Sequence, residues 1–263
     1  MTDSVRWDLD GAVATITLNR PQARNALTAE LKTALLGALR QAASSPQVRA
    51  VLITGAGQAF CAGQDLREHA ELLEADGRPA PLDTVREHYN PLVLAIRSMP
   101  KPVIAAVNGV AAGAGAGLAF ACDFRIAAQG ASFLMAFARV GLAADTGVSW
   151  TLPRLAGTGR AAELLMLAEP IRAPRALELG LVNQVVEDAD LPSVAGALAA
   201  RLAAGPTAAY AGIKEQLSYA AGHGLAEALD KEAEVQTALG RTADHRAATL
   251  AFTRKQEPRF LGR

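Results

Sequence analysis

VIAAVNGVAAGAGAGLAFAC (residues 103–122) decides the fold of this chain. It runs for 20 residues without a charge, long enough to cross a bilayer as a helix. Gly109, Gly113 and Gly117 even stand at the four-residue spacing used by paired membrane helices. Its composition points elsewhere. The run is rich in Ala and Gly rather than Leu, holds Asn108, and follows MPKP (99–102), whose prolines resist helix. It reads as a short buried strand, a tight glycine turn and a buried helix.

The flanking segments fit the same scheme. AVATITLN (12–19) alternates like a strand and ends at the Asn19–Pro21 turn, and VRAVLITG (48–55) is a β-branched run stopped by Gly55. Between them, residues 27–43 place Leu27, Leu31, Leu35, Ala38, Leu39 and Ala42 on one helical face. VIAAV (103–107) and FRIAA (124–128) add two more buried strands. Apolar strands separated by helices predict an α/β layered core. After about residue 158 the pattern turns helical: GRAAELLMLA (159–168) and PRALELG (174–180), a last strand in LVNQVV (181–186), then four helical stretches from Leu191 to Gln256. The expected organisation is a core over 1–200 and a C-terminal helical region over 201–263 used in assembly.

The chain of 263 residues carries 26 basic and 26 acidic side chains, so no net charge draws it to nucleic acid or an anionic membrane. Cys61 and Cys122 sit among small or apolar neighbours and read as buried, reduced thiols; two cysteines give no metal-site spacing, and there is no HExxH. The N-terminal segment shows no basic stretch followed by an apolar run, which makes a cytoplasmic protein the expectation.

Few residues offer chemistry. GTGRAA (157–162) matches a dinucleotide fingerprint, but Pro153 and Arg154 stand where its buried first strand should be. His69, His88, His223 and His245 fall in polar surroundings and read as solvated. The charged stretch 65–87 is either a surface loop or a lid over a site. Two tight glycine turns, FCAGQDL (60–66) and NGVAAGAGAG (108–117), follow buried strands, and such turns can aim free backbone N–H groups at one oxygen. The remaining feature is Asp145, one carboxylate in the neutral stretch GLAADTGVSW (141–150). It is either a turn residue in water or an acid held for chemistry.

These turns, in this order and separation, resemble the enoyl-CoA hydratase/isomerase (crotonase) superfamily. So do LNRPQARNAL (18–27), RAVLITGAGQAFCAGQDL (49–66), KPVIAAVNGVAAGAGAGLAFACDFRIAA (101–128), LPRLAG (152–157), ALELGLVNQVV (176–186) and AFTRKQEPRF (251–260). The resemblance implies a crotonase-like spiral of ββα units, a homotrimer or dimer of trimers, acyl-CoA thioester substrates, and no cofactor beyond the CoA of the substrate. It implies that the N–H groups of Ala62 and Ala114 bind the thioester oxygen. It also implies that Ala23, Arg24, Gln64, Asp65, Leu66, Tyr89 and Gly113 lie along the substrate and its CoA.

Departures from the family pattern are informative. Hydratases hold two glutamates that activate the added water; the matching positions here are Gly117 and Phe137. Asp145 replaces a glycine of the hydratase loop. HYNPLV (88–93), AVNGVAAGAGA (106–116) and MAFARVGLAAD (135–145) resemble the members that isomerise the ring epoxide of phenylacetyl-CoA. With that likeness, 65–87 reads as the acyl-pocket loop. The expected activity is an isomerase that moves a double bond or rearranges a ring epoxide through an enolate, with Asp145 as its acid and base. An enoyl-CoA hydratase of broad specificity, a dehalogenase-type hydrolase with Asp145 as nucleophile and His88 activating water, and a non-catalytic member are the alternatives.

Overall fold

The computed structural model describes residues 4–74 and 82–263. The chain opens with a hairpin of β1 (Val5–Asp10) and β2 (Val13–Leu18). Helix α1 (Ala29–Ser44) follows, started by Thr28, whose hydroxyl accepts the Leu31 N–H at 3.2 Å. Five of the six expected stripe residues, Leu31, Leu35, Ala38, Leu39 and Ala42, are buried on it; Leu27 is buried too but precedes the helix, in a bridge to Gln64.

Three ββ-helix units come next. In the first, β3 (Ala50–Gly55) and β4 (Ala59–Cys61) lead to α2 (Leu66–Glu74). The stretch 65–87, expected to be the acyl-pocket loop, therefore begins as helix; its residues 75–81 lie outside the described residues. A π-helical turn over Val85–Tyr89 runs into α3 (Asn90–Arg97). The second unit is β5 (Val103–Val107), β6 (Val110–Ala112) and α4 (Ala114–Ala121), so the long uncharged run is divided into three elements. All eight residues of α4 are buried, which is why that helix carries no polar side chain. No helix among the described residues is long and apolar enough to cross a membrane. The third unit is β7 (Phe124–Ala128), β8 (Ser132–Leu134), a 3-10 turn over Ala136–Val140 and α5 (Val148–Ala156).

Each unit gives its first strand to one sheet and its second to another. The large sheet has the order β1-β2-β3-β5-β7-β10, and the small one β4-β6-β8-β9. Within the large sheet every pair except β1–β2 is parallel. This repeated step from sheet to sheet is the ββα spiral expected from the resemblance. Asn108 stitches two units together: its Oδ1 accepts the Gly55 N–H at 3.1 Å, and its Nδ2 donates to Gly57 O at 2.9 Å and Ala59 O at 3.2 Å. A polar residue inside the apolar run is thus satisfied by backbone.

The chain closes with α6 (Thr158–Leu167), β9 (Ile171–Arg172), α7 (Ala173–Glu178), β10 (Gln184–Val186), α8 (Leu191–Ala203), α9 (Thr207–Ala220), α10 (Leu225–Leu239) and α11 (Ala243–Thr253). GTGRAA opens α6 but follows a helix, so no dinucleotide-binding strand precedes it. The expected boundary at 200–201 falls inside α8, which packs along β3, β5 and β7 as one piece. The helices beyond it are tied back to the core. Lys214 pairs with Asp123 at 2.8 Å, and Arg49 donates to Thr207 Oγ1 at 3.0 Å and to Phe260 O at 3.1 Å. Cys61 and Cys122 are buried and free, as expected, and burial pushes both thiols up to about 12.

Candidate active site

A cavity of about 610 Å³ opens between α2, the π-helical turn, the N-terminus of α4 and the 3-10 turn. Leu66, Leu73, Leu82, Phe137, Val140 and Leu142 are among the apolar side chains of its wall. Ala62, Gln64, Leu66, Tyr89, Gly113, Ala114 and Asp145 all line it, so seven of the expected site residues converge. Ala23, Arg24 and Asp65 do not reach it.

Two of the three, Asp65 and Arg24, hold the fold around it. Asp65 pairs with Arg20 at 2.8 Å and accepts the N–H groups of Arg67 (3.1 Å) and Glu68 (3.3 Å), starting α2. Burial alone would raise its carboxyl pKa, but the Arg20 hydrogen bond and the two N–H groups hold it below the usual value. Arg24 offers its carbonyl to the Ala62 N–H at 3.0 Å. This contact corrects one expectation. Ala62 has spent its N–H on the fold and has none left for a substrate oxygen.

The next N–H groups round that turn are differently placed. Gly63 directs its own toward the buried Cys61 sulfur. Gln64 N–H has no acceptor among the described residues, although its neighbours bind Leu27 on either side: Leu27 N–H to Gly63 O at 2.7 Å and Asp65 N–H to Leu27 O at 3.2 Å. Ala114 N–H, at the first position of α4, is likewise unused among the described residues. The two turns touch. A Cβ on Gly63, whose φ is +89°, would stand 2.7 Å from Ala112 O and 3.6 Å from Ala114 N. Only glycine lets them come this close.

Asp145 is the only acid lining the cavity among the described residues. It is half-buried, and burial raises its pKa above the usual carboxylate value; the hydrogen bond from Thr146 Oγ1 (2.6 Å) and the charge of Lys32 oppose that rise. Thr146 is 1% exposed and holds φ at +49°, a left-handed conformation that a β-branched residue rarely adopts. Gly117 lies beneath Thr146, and Phe137 is buried in the wall, so neither of the positions that the resemblance matches to a hydratase glutamate brings an acid to the cavity.

A polar group behind this wall goes unnoticed in the sequence. Lys32 donates to Gln64 Oε1 at 3.2 Å and to Thr84 Oγ1 at 2.5 Å, and Tyr89 O–H donates to the same Gln64 oxygen. Thr84 Oγ1 also bonds His88 Nδ1 at 3.1 Å. Nor are the histidines all solvated. His69 lines the cavity, and its buried Nδ1 has no partner among the described residues. Burial, then the Lys32 charge, lowers the His88 pKa. Among the described residues no cluster of His, Cys, Asp or Glu forms a metal site.

The enoyl-CoA hydratase/isomerase family profile matches residues 8–263. A "probable enoyl-CoA hydratase" of Rhodobacter capsulatus is 45% identical, covering 99% of this chain and 98% of that one. The 1,2-epoxyphenylacetyl-CoA isomerase of Escherichia coli K12 is 42% identical over 100% of both chains. A crystal structure of a Mycobacterium abscessus protein of the enoyl-CoA hydratase/isomerase type superposes with a TM-score of 0.94 at 47% identity, covering 98% of this chain and 100% of that one. With its spiral of ββα units and this cavity, the chain belongs to the enoyl-CoA hydratase/isomerase family.

Proposed function

We propose that the chain is an acyl-CoA isomerase that moves a double bond, or rearranges a ring epoxide, through an enolate. The observation that carries this reading is the lone carboxylate: Asp145 faces the cavity, and no second acid lines it among the described residues. The thioester oxygen accepts the N–H groups of Gln64 and Ala114. As negative charge grows on that oxygen, both bonds strengthen, and losing one such donor typically costs about 3 kcal/mol in the transition state. Asp145 takes a proton from the carbon next to the conjugated system and returns it at another carbon. One acid suffices, because the proton removed is the proton given back. In the ring-epoxide case Asp145 assists opening to a seven-membered oxepin by the same transfer. Apolar walls suit an acyl chain or ring, and the charged nucleotide of CoA remains outside among the loops around Ala23 and Arg24.

The protein assembles as a homotrimer or dimer of trimers. Exposed Leu217, Leu225, Leu250 and Phe252 on the last three helices are apolar surface that assembly covers.

A hydratase reading is favoured by the relative named as a hydratase in Rhodobacter capsulatus. It requires Asp145 alone to orient and activate water. The deciding experiment offers purified protein a 3-enoyl-CoA, a 2-enoyl-CoA in deuterated water, and the ring-epoxide thioester. Consumption of the first or third supports the isomerase; hydration of the 2-enoyl ester alone overturns it.

A further inference from the structure

Helix α1 buries one residue that its apolar stripe does not explain. Lys32 is only 2% exposed. Its ammonium reaches Gln64 Oε1 (3.2 Å) and Thr84 Oγ1 (2.5 Å) and stands 4.9 Å from the centre of the Tyr89 ring. Gln64, Thr84 and Tyr89 all line the cavity, so the charge lies directly behind the wall. None of these partners is ionised. Among the described residues no carboxylate pairs with Lys32 within 4.0 Å. Burying an unpaired ammonium is costly, and a methionine of similar length would fill the space without that cost.

The chemistry of the cavity supplies a use for such a charge. Enolate formation places negative charge on an oxygen held by the Gln64 N–H, and Lys32 grips the side chain of that same residue. We infer that Lys32 is a positioning residue for the isomerisation: its buried charge, fixed behind Gln64, holds the oxyanion turn and opposes the negative charge that grows there. The inference rests on the reading of Asp145 as acid and base. The groups facing this cation are Glu68 from α2, His88 and Tyr89 from the π-helical turn, and Asp145; Cys61 and Glu87 face Tyr89 and His88 in turn. The field of Lys32 also favours ionised Asp145, so removing it raises the pH needed to ionise that acid.

The test compares wild type, Lys32→Met, Lys32→Gln, Lys32→Arg and Asp145→Asn by kcat/KM for a 3-enoyl-CoA from about pH 5 to 9. Thermal melts run alongside. The expected result is a loss of at least about tenfold in both neutral variants, with the acid limb moved up by about one unit and the melting temperature unchanged or higher. Lys32→Arg keeps the wild-type limb. A neutral variant that matches wild type overturns the inference. So does a loss of rate with an unmoved limb, or a shift of the limb in Lys32→Arg as large as that in the neutral variants, because either reports packing rather than charge. If Lys32→Met does not fold, Lys32→Gln decides between these outcomes. Asp145→Asn separates the two levels: if it still isomerises, the reading of the site fails; if it is inactive and the neutral variants behave as wild type, only the role of Lys32 fails.

Discussion

Thr146 lies directly on Gly117: a Cβ placed on Gly117 would stand 2.8 Å from Thr146 Cβ and 2.9 Å from its carbonyl oxygen. The same threonine donates its hydroxyl to Asp145 at 2.6 Å. One residue therefore fills the space above Gly117 and steadies the acid of the cavity. Its strained φ of +49° is held by this packing.

Replacing Thr146 by Val keeps the shape and removes the donor. That hydrogen bond favours the ionised carboxylate, so its loss raises the Asp145 pKa further. In the proposed reaction Asp145 must be ionised to accept a proton, so activity is expected to fall as pH falls through its pKa. The acid limb of kcat/KM should move up by about half to one unit. A pH–rate profile with an unmoved limb would separate Thr146 from the chemistry.

Restoring the hydratase acid with Gly117→Glu should not create a hydratase. The new side chain must displace Thr146, an overpacking that costs about 1–3 kcal/mol. The melt should fall, isomerisation should fall with it as Asp145 moves, and no water should add to a 2-enoyl-CoA.

Gly63→Ala tests the contact between the turns. Its φ of +89° and the 2.7 Å approach to Ala112 O leave no room for a methyl group. The left-handed penalty alone is about 1–2 kcal/mol. We expect a lower unfolding midpoint in urea and a larger proportional loss in kcat than in KM, because the two N–H groups no longer converge.

Asn25→Ala tests the support beneath them. Asn25 is fully buried at φ +56°, accepts the Arg20 N–H at 2.9 Å, and donates to Ala56 O at 3.0 Å and Ala59 O at 2.7 Å. Its removal takes one partner from the half-buried Arg20 N–H and Ala56 O, leaves Ala59 O to Asn108 alone, and puts an alanine at positive φ; it should destabilise the protein by about 2–4 kcal/mol, read by denaturant unfolding.

Much of this architecture is legible in the sequence, and the exceptions have physical reasons. VIAAV is buried on both faces of a parallel sheet and therefore reads as a continuous apolar run; FRIAA reads the same way but for Arg125, which is buried with its guanidinium on backbone carbonyls. The stripe of α1 shows because its period is helical. β4, β6 and β8 escape notice because three residues are too few to display alternation. β1 does so because it is an edge strand, with four of its six residues exposed. Asp145 stands out as a charge among neutral neighbours. Lys32 does not, since a lysine beside the apolar stripe of an amphipathic helix ordinarily lies at the surface. Ala62 lies two residues before Gln64, whose N–H is the unused one. Which N–H is spent depends on the Arg24 carbonyl, a contact across 38 residues that no local pattern reports.

The most direct measurement is the rate at which Asp145→Asn isomerises a 3-enoyl-CoA, taken together with its affinity for the thioester. Folding and binding should be unchanged and the rate lower by about 10³-fold, the usual worth of a positioned acid–base group. A variant that binds the ester and still isomerises at the wild-type rate would contradict the assignment of Asp145 as acid and base.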